Sequence, residues 1–222
     1  MVYRRTENVL RRLAARRADI LKAAEAAAAE GGMGAAQIAP VAARAGIAAG
    51  TVYRYFPAKT DLVAALVADV SEREIAALRR AADGAPGPLS ALAAAIGTFA
   101  ARALRGRRLA YALLAEPVDA EIDAVRLGYR KRLVAQLQER IATASSGGHL
   151  PDQDPQLAAC AIVGALLEGL IGPLAADPGD DPAKMRAAVQ SLTLHCLRAL
   201  GVVDARARGL VVQIALPKDG AA

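Results

Sequence analysis

The 222-residue chain has no tryptophan, two phenylalanines, two cysteines and two histidines. Each scarcity excludes something. Cys160 and Cys196 are too few and too far apart for a disulfide framework or a zinc-finger pattern. They read as reduced, buried thiols. Neither a His-Glu-x-x-His pair nor a Gly-x-x-x-x-Gly-Lys-Ser/Thr loop occurs. His149 falls in a loop, and His195, on an apolar helix, reads as a packed core residue. Nothing here supports an enzyme, and no cofactor or metal is expected. The N-terminus, Met-Val-Tyr-Arg-Arg-Thr-Glu, lacks the apolar core of a secretion signal, so the expected compartment is cytoplasmic. Only residues 157–176 are apolar for long enough to mimic a membrane span. Glu168 near the middle would cost about 2.5–3.5 kcal/mol at mid-bilayer, and Pro173 lies near the end, which favours a covered helix and no membrane.

What the chain does have is alanine at helical spacing nearly throughout. The pattern predicts helices over about 13–30, 38–45, 49–55, 59–82, 89–104 and 107–115. A seventh follows a cap at Asp119 and runs to about 143, and two more cover 155–176 and 183–200. The fold class is therefore all-α, with about nine helices: an N-terminal three-helix head and a C-terminal helical body. The expected divisions are 1–60, 61–203 and a tail, 204–222. The apolar run 209–217 could be a strand, a pairing segment or disordered, and composition leaves these alternatives open.

Charge is divided unevenly. Residues 1–60 hold ten Lys or Arg against four acids, while the remainder holds eighteen of each, so the whole net charge of +6 belongs to the head. A basic head on a neutral body suits a polyanion. Within the head, the stretch Ala-Ala-Arg-Ala-Gly-Ile-Ala-Ala-Gly-Thr-Val-Tyr-Arg-Tyr-Phe-Pro has the layout of a helix, a turn at Gly46 and a short second helix ended by Pro57. That layout suits insertion of the short helix into the major groove. Gly50 permits close approach to the DNA backbone, and Thr51 can meet a phosphate or a thymine methyl. Tyr53 and Tyr55 present hydroxyls to phosphates, with Arg54 between them and Lys59 at the next helix start. Val52 and Phe56, four apart, should pack on Ile38, Val41 and Ile47. Alternatives stand beside these readings. Either tyrosine could be a core aromatic, Arg54 a solvated or paired cation, and Arg44 a groove contact or a cover for its own helix. Arg11, Arg12, Arg16 and Arg17 could be an arm along the duplex or an ordinary frayed start.

The order and spacing of Ile20-Leu-Lys-Ala-Ala24, Glu30-Gly-Gly32, Val41-Ala-Ala-Arg-Ala-Gly-Ile47, Gly50-Thr-Val-Tyr-Arg-Tyr-Phe-Pro57, Lys59 and Leu62 resemble the N-terminal domain of the TetR family of bacterial repressors. The resemblance covers roughly the first third of the chain. It departs at Ala48, where the family has Ser or Thr, and at Ala49, where Lys is common. It departs again at Ala36 and Gln37, where Thr or Ser begins the second helix, and at Ala27 and Ala28, where larger residues are usual. Loss of the cap at Ala48 removes about 1 kcal/mol. The family implies a body that binds a small effector and dimerises.

Candidate effector contacts are the rare large or polar residues of the apolar helices: Phe99, Arg102, Tyr111, Glu116, Tyr129 and Glu168. Glu168, on so apolar a helix, should be paired, protonated or functional. With few aromatics, the chamber should be aliphatic and suit a greasy or flexible effector. Gly164, Gly169 and Gly172 would allow close helix approach. The stripe Val189, Leu192, Cys196 and Leu200 suggests that a homodimer forms through the eighth and ninth helices. The expected function is an effector-released repressor on a palindromic operator of double-stranded DNA. The alternative is an architectural DNA-binding protein without effector control.

Overall fold

The computed structural model describes residues 2–179 and 181–214. Among them are ten α-helices and no strand: α1 (Val2–Gly31), α2 (Ile38–Arg44), α3 (Ala49–Tyr53), α4 (Lys59–Asp83), α5 (Pro88–Arg105), α6 (Arg107–Leu114), α7 (Ala120–Ser146), α8 (Pro155–Leu170), α9 (Pro182–Ala199) and α10 (Asp204–Val212). A 3-10 turn, Met33–Ala35, joins α1 to α2.

Helix starts follow local chemistry. Asp154 and Asp181 each precede a proline, and each accepts from two backbone N–H groups of the first turn, Gln156 and Leu157 in one case and Ala183 and Lys184 in the other. At α4 the carboxylate of Asp61 accepts from the Ala58 N–H at 2.9 Å. Ala58 itself has no side-chain acceptor, so only half of a capping box forms. Asp119 occupies the N-cap position of α7, but its side chain makes no cap bond. Glu121 and Asp123 in the first turn complement the helix dipole instead.

Two apolar clusters result. One joins Ile20, Ala24 and Ala28 of α1 to Val41, Val52 and Phe56, and to Leu62, Val63 and Leu66 of α4. It continues into Ala112 and Leu113 of α6 and Ile122 of α7, so the head is seated on α6. The other fills the body with Leu78, Leu92, Ile96, Leu133, Leu137, Ile141, Leu166 and Leu197. Helix α4 contributes to both clusters, which makes it the shared strut.

Several expectations change. Helix α1 begins at Val2 rather than near Leu13, because no glycine or proline interrupts the stretch. Helix α8 stops at Leu170 rather than near Ala176, because Pro173 excludes the helical conformation at Gly172 and cannot itself donate. No helix of the described residues is long and apolar enough to cross a membrane. The tail forms α10, because Ala207, Leu210 and Val211 recur at helical spacing and bury against the body, while Ile214 lies over Gly97 so closely that a Cβ there would sit 2.7 Å away. Residues 215–217 of that apolar run lie outside the described residues. In α9, Val189, Cys196 and Leu200 point into the body's own core, so this stripe does not form an outer face. Cys160 and His195 are exposed on the outward faces of α8 and α9, not buried.

Candidate DNA-reading face and effector chamber

The turn before α3 is a Schellman closure. Gly46 takes φ 66°, the Ile47 N–H donates to the Ala42 carbonyl at 3.0 Å, and the Gly46 N–H donates to that of Ala43 at 3.1 Å. A side chain at 46 would be strained in this left-handed conformation. The turn redirects the chain into α3, whose inward residue, Val52, is fully buried with Phe56 beside it. Ile47 packs on the same cluster. At the N-cap of α3, Ala48 provides no side-chain cap, as the missing hydroxyl predicts.

The outward side of this unit is left open. Gly50, Tyr53, Arg54 and Lys59 are exposed and Thr51 is half-buried. A Cβ at Gly50 would meet nothing within 4 Å. Neither Arg54 nor Lys59 makes an intramolecular hydrogen bond or ion pair among the described residues, so both cations are available to an external anion. The tyrosines differ. Tyr53 is 52% exposed, whereas Tyr55 is half-buried with its ring against the head cluster. Arg44 is committed within the head, where its guanidinium makes a two-pronged pair with Glu30 at the end of α1. Of the basic residues on α1, Arg17 lies over the Phe56 ring at 5.3 Å from its centroid. Arg11 bonds Asn8, and Arg12 and Arg16 are exposed on a continuous helix.

The six effector candidates do not share one site. Phe99, Arg102 and Tyr129 line a small chamber of about 70 Å³ between α4, α5, α6 and α7. Its walls are largely aliphatic, from Val70, Ala103, Leu109, Leu113 and Leu114. Its polar corner is Arg102, whose Nε and Nη2 donate to Glu74 at 2.6 and 2.7 Å. The bond to Glu74 raises the Arg102 pKa against an opposing effect of burial. Tyr129 is almost fully buried, and desolvation, helped by the Glu74 charge, pushes its phenol well above the ordinary value, so it stays a neutral donor. Glu74 was missed in the sequence, although it shares the inward side of α4 with Ser71 and Leu78.

Glu116 and Glu168 line a different cavity, of about 450 Å³, between the α6–α7 connection, α7 and the end of α8. Glu168 is exposed, so its carboxylate needs no buried partner. Glu116 bridges head and body: its carboxylate accepts the Met33 N–H at 2.8 Å. Gly32 makes this possible, because a Cβ there would lie 2.8 Å from the same oxygen. Tyr111, 38% exposed, lines neither cavity. Arg126 was also missed. It sits on the inward stripe Ile122, Arg126, Tyr129, Leu133 at three- and four-residue spacing, a pattern that marks it as buried. Among the described residues no cluster of His, Cys, Asp or Glu could hold a metal ion.

Comparison with known proteins agrees with this architecture. Residues 20–66 match the family model described as bacterial regulatory proteins, tetR family. The HTH-type transcriptional repressor KstR of Mycolicibacterium smegmatis is 33% identical over 156 residues, covering 70% of this chain and 75% of KstR. The structure of FadR from Bacillus subtilis in complex with stearoyl-CoA superposes with a TM-score of 0.70 at 21% identity, over 82% of this chain and 97% of FadR. That of RolR in complex with resorcinol superposes with a TM-score of 0.67 at 22% identity, over 94% and 98%.

Proposed function

The chain belongs to the TetR family of bacterial regulatory proteins, and on that premise we propose that it is a repressor that binds a palindromic operator as a homodimer and is released by a small effector. The observation that carries the reading is the open face of α3. A short helix follows a rigid glycine turn and presents Gly50, Thr51, Tyr53 and Arg54 outward, with Lys59 at the start of α4. Phosphate contacts from Tyr53, Arg54 and Lys59 would set the register, and Thr51 would meet a base edge. Tyr55 assists from the rim, and Arg44 acts indirectly by holding α2 to the end of α1.

The effector enters the chamber of Phe99, Arg102 and Tyr129. Its aliphatic walls suit a small, mostly apolar molecule with one polar group facing Arg102–Glu74 or the Tyr129 hydroxyl. The resorcinol and stearoyl-CoA complexes of RolR and FadR support a ligand within a body of this fold without defining this one. A volume of only about 70 Å³ must widen to admit an effector, and α6, which lines the chamber and carries Ala112 and Leu113 into the head cluster, is positioned to transmit that widening. The homodimer forms through the outward faces of α8 and α9.

Footprinting on the DNA flanking the protein's own gene tests the reading. The expected result is a short palindromic footprint that disappears when cell extract is added. Absence of protection at moderate salt overturns it, and uniform, salt-sensitive coating of any DNA favours an architectural role.

A further inference from the structure

Arg126 has burial without a matching countercharge. It is 2% exposed, and its two terminal nitrogens donate to the backbone carbonyls of Glu116 and Ala112, which are neutral groups. Its Nε is buried and has no partner. Arg130, one turn along α7, also has a buried, unpartnered Nε, and among the described residues its ion pair is a loose one with Asp123, 3.8 Å away. A buried cation is retained at a cost unless a counter-charge meets it. Both arginines line the cavity of about 450 Å³ at the junction of head and body, within the size range of small-molecule sites.

The acids around this cavity do not supply the missing partner. The Glu116 carboxylate is turned to the Met33 N–H, Asp123 pairs weakly with Arg130, and Glu168 is exposed and folded over Gly172. Burial is the largest influence on Arg126 and depresses its pKa, against smaller opposing effects of Asp123 and Glu116. The rest of the lining is apolar, with Leu114, Val118, Leu167 and Ile171.

We propose that this cavity is a second ligand site, distinct from the chamber of Tyr129, and that it takes an amphipathic organic monoanion, a carboxylate seated on Arg126 and Arg130 with a short apolar body against Leu114, Leu167 and Ile171. A guanidinium donates to a carboxylate from Nε and a neighbouring terminal nitrogen, so a small shift of the two side chains toward the cavity would give the buried, unpartnered Nε atoms an acceptor. A cation or a neutral amphiphile would leave both arginines as they are. Because Arg126 also grips the carbonyl of Glu116, whose carboxylate holds Met33, occupancy acts on the link between body and head.

Calorimetric titration of the full chain, without DNA, with octanoate, octanol and octylammonium tests the site separately from any operator. Octanoate is expected to bind at least tenfold more tightly than either of the others. Replacement of Arg126 removes two backbone anchors of the α6–α7 connection, so Arg130→Gln and Leu167→Trp are the working variants. Arg130→Gln should weaken octanoate about tenfold and leave octanol unchanged, and Leu167→Trp should abolish octanoate binding. Ala110→Phe, which fills the other chamber, should leave octanoate binding intact. Equal binding of octanoate and octanol overturns the proposal, as does retention of octanoate by Leu167→Trp or its loss in Ala110→Phe. A failed footprint with successful octanoate binding would defeat the operator reading alone.

Discussion

Tyr53 projects from the last turn of α3 with half its surface in solvent, while its neighbour Val52 is fully buried. This alternation makes the two positions respond differently to substitution. Tyr53→Ala removes a hydroxyl that would donate to a phosphate, a charged acceptor, for which a loss of about 1.5–3 kcal/mol is usual. Operator affinity should therefore fall by roughly 10- to 100-fold in a filter-binding or anisotropy titration, while helicity and melting temperature stay at the wild-type values. Unchanged affinity would remove Tyr53 from the DNA contacts. Arg44→Ala should behave otherwise. It breaks an exposed pair with Glu30, worth about 0.2–1 kcal/mol, and should cost little affinity. The roles of Gly46, Val52 and Phe56 were legible in the sequence because a glycine turn between two helices and an apolar pair at i and i+4 each carry their own local signature. Arg44 was not, because Glu30 lies fourteen residues earlier on another helix, and residue spacing says nothing about which side chains meet across a turn.

Between elements, the 3-10 turn and the α6–α7 connection are joined by one hydrogen bond, from the Met33 N–H to the Glu116 carboxylate. A backbone donor at this half-buried junction loses its partner in Glu116→Ala, at a cost of about 1–3 kcal/mol. For a chain of this size each kcal/mol lowers the melting temperature by about 2–4 °C. Calorimetry should thus show Glu116→Ala melting several degrees below wild type, and Glu116→Gln, which keeps a carbonyl acceptor, melting close to wild type. Gly32→Ala should resemble Glu116→Ala, because its Cβ would occupy the carboxylate's place and its φ of 76° disfavours any side chain. If Glu116→Ala melts with wild type, the bond does not hold the two parts together. The helices themselves were readable from periodicity and breakers, apart from the length of α1, the early stop of α8 and the helical tail. What periodicity could not show was which apolar face of a helix turns inward. Val189, Cys196 and Leu200 form a continuous stripe that would suit a partner subunit equally well, and only the position of α5 beneath α9 turns it into the body's own core. The same limit explains why six effector candidates, chosen for being polar or large among apolar neighbours, fall on two cavities and an exposed position.

At the scale of the whole molecule, a repressor that reads paired half-sites needs two heads held at fixed separation, and a two-fold interface pairs each patch with its own copy. With the inner stripe of α9 spent on the core, the available surface is the outward side of α8, where Leu157, Cys160, Ala161, Gly164 and Glu168 are exposed at helical spacing, beside Ala187, Ser191 and His195 of α9. Leu157 is 68% exposed, and a Cβ at Gly164 would meet no atom within 4 Å of its own chain. Gly164→Glu therefore discriminates. Within the monomer it replaces a poor helix former by a better one, favourable by about 0.5–1 kcal/mol, and touches nothing. Across a two-fold axis it sets bulk and like charges against each other. Sedimentation should show wild-type dimers and Gly164→Glu monomers of unchanged helicity, with operator affinity falling in parallel. Mild oxidation should join wild-type subunits through Cys160, which faces outward, and leave Cys196 untouched, since burial shields that thiol and pushes its pKa up to about 12. A Gly164→Glu protein that remains a dimer, with Cys160 still resistant to cross-linking, would place the subunit contact elsewhere on the body.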